Sequence, residues 1–176
     1  MPAPGKPHST LAIVVPVKGF ASAKDRLSSS LSPQDRESLA RRLATRVLTV
    51  ACAIPDAIVI VVSDDDEVLE WSHSFGAIGV RQSRAGLNGA VSDARDEASR
   101  RGCDHVLVTH GDLVDPTSLV ALCGSLDRGS VTLVPDRHLD GTNVLALPTA
   151  IDFDTHYGKG SFRAHLDEAT RRGIVA

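Results

Sequence analysis

The sequence predicts an α/β fold: one domain built on a mostly parallel sheet flanked by helices. Three observations carry that prediction. Short apolar runs rich in Val and Ile recur at 11–17, 57–62, 105–110, 131–135 and 143–147. Longer amphipathic segments lie between them, so strand and helix alternate along the chain. Each run is continuously apolar rather than alternating, which suits strands covered by helices on both faces. The 176 residues suffice for one domain with a good core, and the 42% hydrophobic and 23% charged fractions are those of an ordinary globular protein.

Taken in order, the opening MPAPGKPHST is Pro-rich without an apolar run, so residues 1–10 read as a loose terminus and 11–176 as the domain. The first strand, LAIVVPV, breaks into a loop carrying Lys18, Lys24 and Arg26. Ser32 can cap the next helix, with Pro33 at its first position and Asp35 three residues after the cap. Leu39, Leu43, Val47, Val50 and Ile54 then fall on one face. After the second strand, Ser63 precedes DDDEVLEW, whose carboxylates complement a helix dipole in its first turn. Residues 87–102 end on two arginines and a glycine, as a helix C-terminus does. Asp115 with Pro116 opens a helix after the third run, and 161–173 forms the last.

Composition excludes several classes. A net charge of -3 argues against a general nucleic-acid or membrane-surface binder, and 3% aromatics leave no base-stacking platform. Cys52, Cys103 and Cys123 stand far apart, so each is expected to pack as a small hydrophobe, with no zinc site and no disulfide framework. No apolar run approaches the roughly 20 residues of a membrane span, and a cytoplasmic protein is expected. No spacing marks a histidine metal site or a nucleophile elbow, and His105, His110 and His165 read as packed or surface groups.

Ligands of such sheets bind beyond the carboxyl ends of the strands. Lys18, Lys24 and Arg26 follow the first strand where neither a dinucleotide glycine fingerprint nor a P-loop is present. Cations at that place oppose a helix dipole, so they point to an anion, a phosphate group above all. Asp112 directly follows the central apolar run, where a carboxylate can hold Mg²⁺, and Asp136 has the equivalent position one strand later. Asp115 reads as a helix cap. Gly86 and Asn88 open one helix and the YGKGSF stretch opens another, where free backbone N–H groups receive anions or base edges; Ser161 is either cap or phosphate ligand.

The ordered series VPVKGFASAKDRL, GLNGA, GDL, PDRHLDGTNVLAL and YGKGSFRAHLDEA resembles the 2-phospho-L-lactate guanylyltransferase family, including its phosphoenolpyruvate guanylyltransferase-like members, from about Leu11 to Gly173. The resemblance implies a nucleotidyltransferase fold of the glycosyltransferase-A kind. It also implies Mg²⁺-dependent transfer of GMP from GTP to a phosphorylated three-carbon acid (2-phospho-L-lactate, phosphoenolpyruvate or a relative such as 3-phosphoglycerate) in the making of deazaflavin coenzyme F-420. It assigns Lys18, Lys24 and Arg26 to phosphates, Asp112 to metal, with Lys18, Lys24 and Asp112 serving the chemistry. Thr142, Asn143, Gly160 and Ser161 fall around nucleotide or acceptor, and Gly86, Leu87 and Asn88 near acceptor or base. Where the family has Pro after GDL this chain has Val114, with Pro116 two residues on, so a locally different backbone is expected. A further strand and a late acidic segment are expected beyond GIVA, as part of the protein outside this sequence. The rivals are a nucleotidyltransferase of the same fold using another nucleotide or acceptor, and a non-catalytic sensor of a phosphorylated metabolite. A homodimer is compatible with all of these.

Overall fold

The computed structural model describes residues 10–127 and 129–176. At its centre is β1 (Leu11–Pro16), whose first five residues are buried. Its Val and Ile side chains suit a pleated strand packed on both faces. It lies between β2 (Ala57–Ser63) and β4 (His105–Thr109), with Val14 in register with Ile60 on one side and Val108 on the other. Among the described residues six strands run in the order β3-β2-β1-β4-β6-β5. β3 is Ile78–Arg81, β5 is Thr132–Pro135 and β6 is Thr142–Pro148. All pairings among β1 to β4 are parallel, whereas β6 runs antiparallel to both β4 and β5. The expectation of a mostly parallel sheet is met. The short strand β3, only partly buried, had no apolar run to announce it.

Helices cover both faces. Leu11, Ile13 and Val15 point into one core with α1 (Pro33–Cys52), α2 (Asp66–His73) and α4 (Ser118–Ser125). Ala12 and Val14 point into the other with α3 (Gly86–Arg100) and α5 (Ser161–Arg171). This alternation is the period of two of a strand. The Ser32 cap on α1 forms, its hydroxyl accepting from Asp35 N at 3.2 Å. The buried face of α1 is centred one residue away from the predicted stripe, on Ala40, Ala44, Val47, Leu48 and Ala51. Alanines face the sheet because they let the helix approach closely, and the larger Leu39, Leu43 and Val50 flank the contact half-buried.

Other boundaries have local reasons. The acidic run caps α2 through Asp65, whose carboxylate accepts from Glu67 N and Val68 N. Asp115 accepts from Thr117 N and Oγ1, bracing the turn before α4. The predicted loose terminus falls outside the described residues except for Thr10, whose carbonyl accepts from Asp104 N at 3.2 Å and so joins the fold. Cys52, Cys103 and Cys123 form no disulfide with one another; Cys103 is buried, but Cys52 is exposed at the end of α1, contrary to the packing expected of it. No helix among the described residues is long and apolar enough to cross a membrane.

Candidate active site

β1, β2, β3, β4 and β5 all end at one edge of the sheet, and β6, running the other way, begins there. This is the edge at which open α/β sheets take ligands. Segments 17–26, 63–65, 82–88, 110–112, 136–142 and 156–161 gather around it.

The loop after β1 is held in two places. Gly19 lies so close to Asp65 that a Cβ there would fall 2.4 Å from Asp65 Oδ2. Phe20 then buries its ring edge-on to Trp71 at 5.0 Å, with the Arg41 guanidinium 4.3 Å from its centroid. Beyond it, Lys24 takes a left-handed backbone with φ 60°, which costs a non-glycine residue about 1 kcal/mol or more. That turn sends Nζ across to Asp112 Oδ2, 2.5 Å away. Lys18 and Arg26 are exposed beside it, and Asp25 of the same loop is tied to Arg36 at 2.7 Å. Of the predicted residues in this half, the structure joins Lys24 to Asp112.

A second cluster surrounds Thr142. Its carbonyl accepts from His110 Nε2 at 2.8 Å. Its hydroxyl lies 3.0 Å from His165 Nδ1 and accepts from Ser161 Oγ at 3.3 Å. Thr142, Ser161 and His165 are all buried. Burial pushes the His165 imidazole down to about 4, the charge of His156 adds to this, and Glu168 opposes it. Glu168 is buried as well. Burial raises its carboxyl, but Arg171, the Asp154 N–H and His156 overcome that and hold it below the usual carboxylate range. The buried anion is therefore fully partnered, as it must be.

The starts of α3 and α5 meet near this cluster. The Asn88 amide pairs with the Tyr157 backbone, Oδ1 accepting from N at 2.7 Å and Nδ2 donating to O at 3.2 Å. Asn88 thus clasps the 153–160 segment, leaving one amide N–H and one lone pair for a ligand. Buried Asp93 accepts from Ser83 N, Ser83 Oγ and Arg84 N and fixes the loop that leads into α3. Burial alone would raise its carboxyl, but these bonds and the Arg84 charge hold it below the usual range. Gly86 and Gly160 both take left-handed φ, 75° and 72°. Neither helix has a side-chain cap; at α5 the Ser161 and Phe162 N–H groups are taken instead by the Gly158 and Asp140 carbonyls, at 3.2 and 3.0 Å. Leu87 is half-buried between them.

Two predicted residues stand differently. Asp136 Oδ1 accepts from His138 N at 2.9 Å and Asp140 N at 3.1 Å, and the Gly141 N–H also bonds the carboxylate, so Asp136 braces the turn between β5 and β6. Asn143 donates to the Pro135 carbonyl at 3.3 Å and lines a cleft with Asp115, Ser118 and Leu119, apart from the Thr142 contacts. Among the described residues no group of three or more His, Cys, Asp or Glu side chains could cage a metal by itself. The Asp112 carboxylate, 54% exposed and paired with Lys24 through Oδ2 alone, fits Mg²⁺, which uses one or two carboxylates and takes the rest from phosphate and water. The reading by residue type passed over His110, His156, His165, Glu168 and Tyr157. One signal pointed to His165: it follows Ser161 by four residues, hence on the same helix face.

Comparison with solved structures shows what this architecture is. A putative nucleotide-diphospho-sugar transferase from Desulfovibrio desulfuricans G20 superposes with a TM-score of 0.75 at 15% identity, covering 94% of this chain and 77% of the other. A nucleotidyl transferase from a Methanothermobacter gives 0.59 at 17%, covering 94% and 84%. Fold and relatives together define a nucleotidyltransferase. The phosphoenolpyruvate guanylyltransferase of Sphaerobacter thermophilus is 40% identical over 94% of this chain and 81% of its own length. The 2-phospho-L-lactate guanylyltransferase of Methanothermobacter thermautotrophicus is 34% identical over 92% and 72%. The chain belongs to the guanylyl transferase CofC like family, whose model matches residues 11–176.

Proposed function

We propose that the protein transfers GMP from GTP to a phosphorylated three-carbon acid, releasing pyrophosphate, as a step in making coenzyme F-420. The observation that carries the reading is the Lys24–Asp112 pair at 2.5 Å, a cation and a carboxylate held together at the strand ends where a triphosphate would lie. The names of the relatives support the nucleotide and the class of acceptor.

An oxygen of the acceptor phosphate attacks the α-phosphorus in line; that P–O bond forms as the bond to the β-phosphate bridge breaks, and pyrophosphate leaves with the electron pair. The acceptor oxygen is already anionic, so no general base is needed and the protein's work is positioning and charge neutralisation. Lys18, Lys24 and Arg26 offset the triphosphate charge. Thr142, Gly160 and Ser161 receive the acceptor, and the start of α3, with Gly86, Leu87 and Asn88, borders acceptor or base. Mg²⁺ on Asp112, with Asp136, would supply Lewis-acid stabilisation of charge on the reacting phosphates.

The test is pyrophosphate release with each of the four nucleoside triphosphates against 2-phospho-L-lactate, phosphoenolpyruvate and 3-phosphoglycerate. Release is expected with GTP and at least one of these acids, and only with a divalent metal. Turnover with CTP and none with GTP would overturn the reading.

A further inference from the structure

His165 fixes what Thr142 can do. The ring's far nitrogen, Nε2, receives the backbone N–H of His156 at 2.9 Å, and a backbone N–H only donates. Nε2 therefore carries no proton. The neutral ring holds its proton on Nδ1, which donates to Thr142 Oγ1 at 3.0 Å. Ser161 Oγ donates to the same oxygen at 3.3 Å. A hydroxyl has two lone pairs and one proton, and both lone pairs are now filled. The Thr142 hydroxyl is left with one capacity, to donate, and the partner suited to it is an ionised oxygen, which offers lone pairs and nothing else.

We propose that His165 is a positioning residue for the acidic acceptor: it commits the buried Thr142 hydroxyl to donating to an ionised oxygen of that acid. The inference rests on the acceptor reading given above. His165 does not touch the acceptor; it acts through Thr142. With the hydroxyl oriented before the acid arrives, no reorientation is needed on binding. A donor-only hydroxyl also discriminates, because a substrate N–H in the same place would find no acceptor.

Two crossed substitutions separate positioning from support of the fold. His165→Asn keeps an N–H where Nδ1 stood and loses the acceptor for His156 N. His165→Gln keeps that acceptor and loses the donor to Thr142. Steady-state pyrophosphate release is measured for both, with thermal melts. His165→Gln is expected to raise the acceptor KM about tenfold, the worth of one hydrogen bond to a charged group, with the GTP KM within about twofold. His165→Asn is expected to melt lower yet keep its acceptor KM within about threefold. In a Thr142→Val background, His165→Gln should add nothing further to the acceptor KM. The inference is overturned if the acceptor KM follows the melting temperature instead, if both KM values rise together, or if the Gln effect persists without the Thr142 hydroxyl. A wild-type protein that releases no pyrophosphate with any acid overturns the functional reading too. Normal turnover with both variants unshifted overturns this inference alone.

Discussion

Acidification is expected to destabilise the protein through His165, in a window set by that one ring. In the unfolded chain its imidazole takes a proton near pH 6.5, whereas the buried ring resists until about 4. Between those values the unfolded state binds more protons, so stability falls as pH falls. The contribution is fully present above pH 6.5, is lost progressively below it, and levels off below 4. Linkage puts the loss at about 1.4 kcal/mol by pH 5.5 and about 2.5 kcal/mol by pH 4.5. The side chain is 0% exposed, so solvent does not screen the effect away. The assay is urea unfolding at pH 7.5, 6.5, 5.5 and 4.5 for the wild-type protein and His165→Gln. Carboxylates held low in the fold, Glu168, Asp93, Asp115 and Asp136 among them, weaken the fold below about pH 4.5 in both proteins. The difference between the two curves therefore isolates His165. Parallel curves from pH 7.5 to 4.5 would refute the reasoning.

Asp112→Asn should lower turnover about a hundredfold or more and leave the melting temperature within about 4 °C, because the Lys24–Asp112 pair is partly exposed and such pairs hold a fold by at most about 1 kcal/mol; a large fall in melting temperature would make Asp112 a structural residue instead. Gly19→Ala would set a Cβ 2.4 Å from Asp65 Oδ2, so a loss of about 1–3 kcal/mol in urea is expected, with a raised GTP KM as the loop is pushed off the start of α2; an unchanged KM would separate Gly19 from the nucleotide. Asn88→Ala deletes both bonds to Tyr157, worth about 1–3 kcal/mol together, and should quicken tryptic cleavage after exposed Lys159. Equal cleavage rates would show that the segment is held by something else.

Much of the fold was legible because buried parallel strands leave continuous apolar runs. β3 was not: its four residues are only partly buried and include Gly79, so no run marks it. The stripe on α1 was displaced by one residue because hydrophobicity ranks Leu above Ala, whereas close packing on a sheet prefers the smaller side chain. In the candidate site, Lys18, Lys24, Arg26 and Asp112 could be proposed from charge at a strand end. The left-handed turn at Lys24, from which Nζ reaches Asp112, could not, since the residue does not favour it. The histidines were the larger omission. Metal-ligand spacing finds histidines that are near in sequence, while His110, His156 and His165 come together only when β4, β6 and α5 pack.

The direction of β6 explains why one half of the site was easier to read than the other. Lys18, Asp112 and Asp136 each follow a strand that ends at the active edge, so an apolar run points to them. Thr142 instead opens β6, which runs antiparallel to its neighbours and whose other end, Pro148, pairs with His105 at the far edge. The chain must then return along the face of α3, anchored by buried Phe153 and by Arg95, which donates to the Ile151 and Phe153 carbonyls, before Tyr157 reaches Asn88 and Ser161 reaches Thr142. One half of the site is thus made of strand ends with a cationic loop, the other of a strand start with a helix start. The three residues after β4 join them: His110 holds the Thr142 carbonyl and Asp112 holds Lys24. Gly111 lies between, pressed so closely on β1 that a Cβ would fall 3.2 Å from Val17 Cγ2. The sheet therefore sets the separation between the two halves, as the in-line transfer proposed above would require of two bound phosphates.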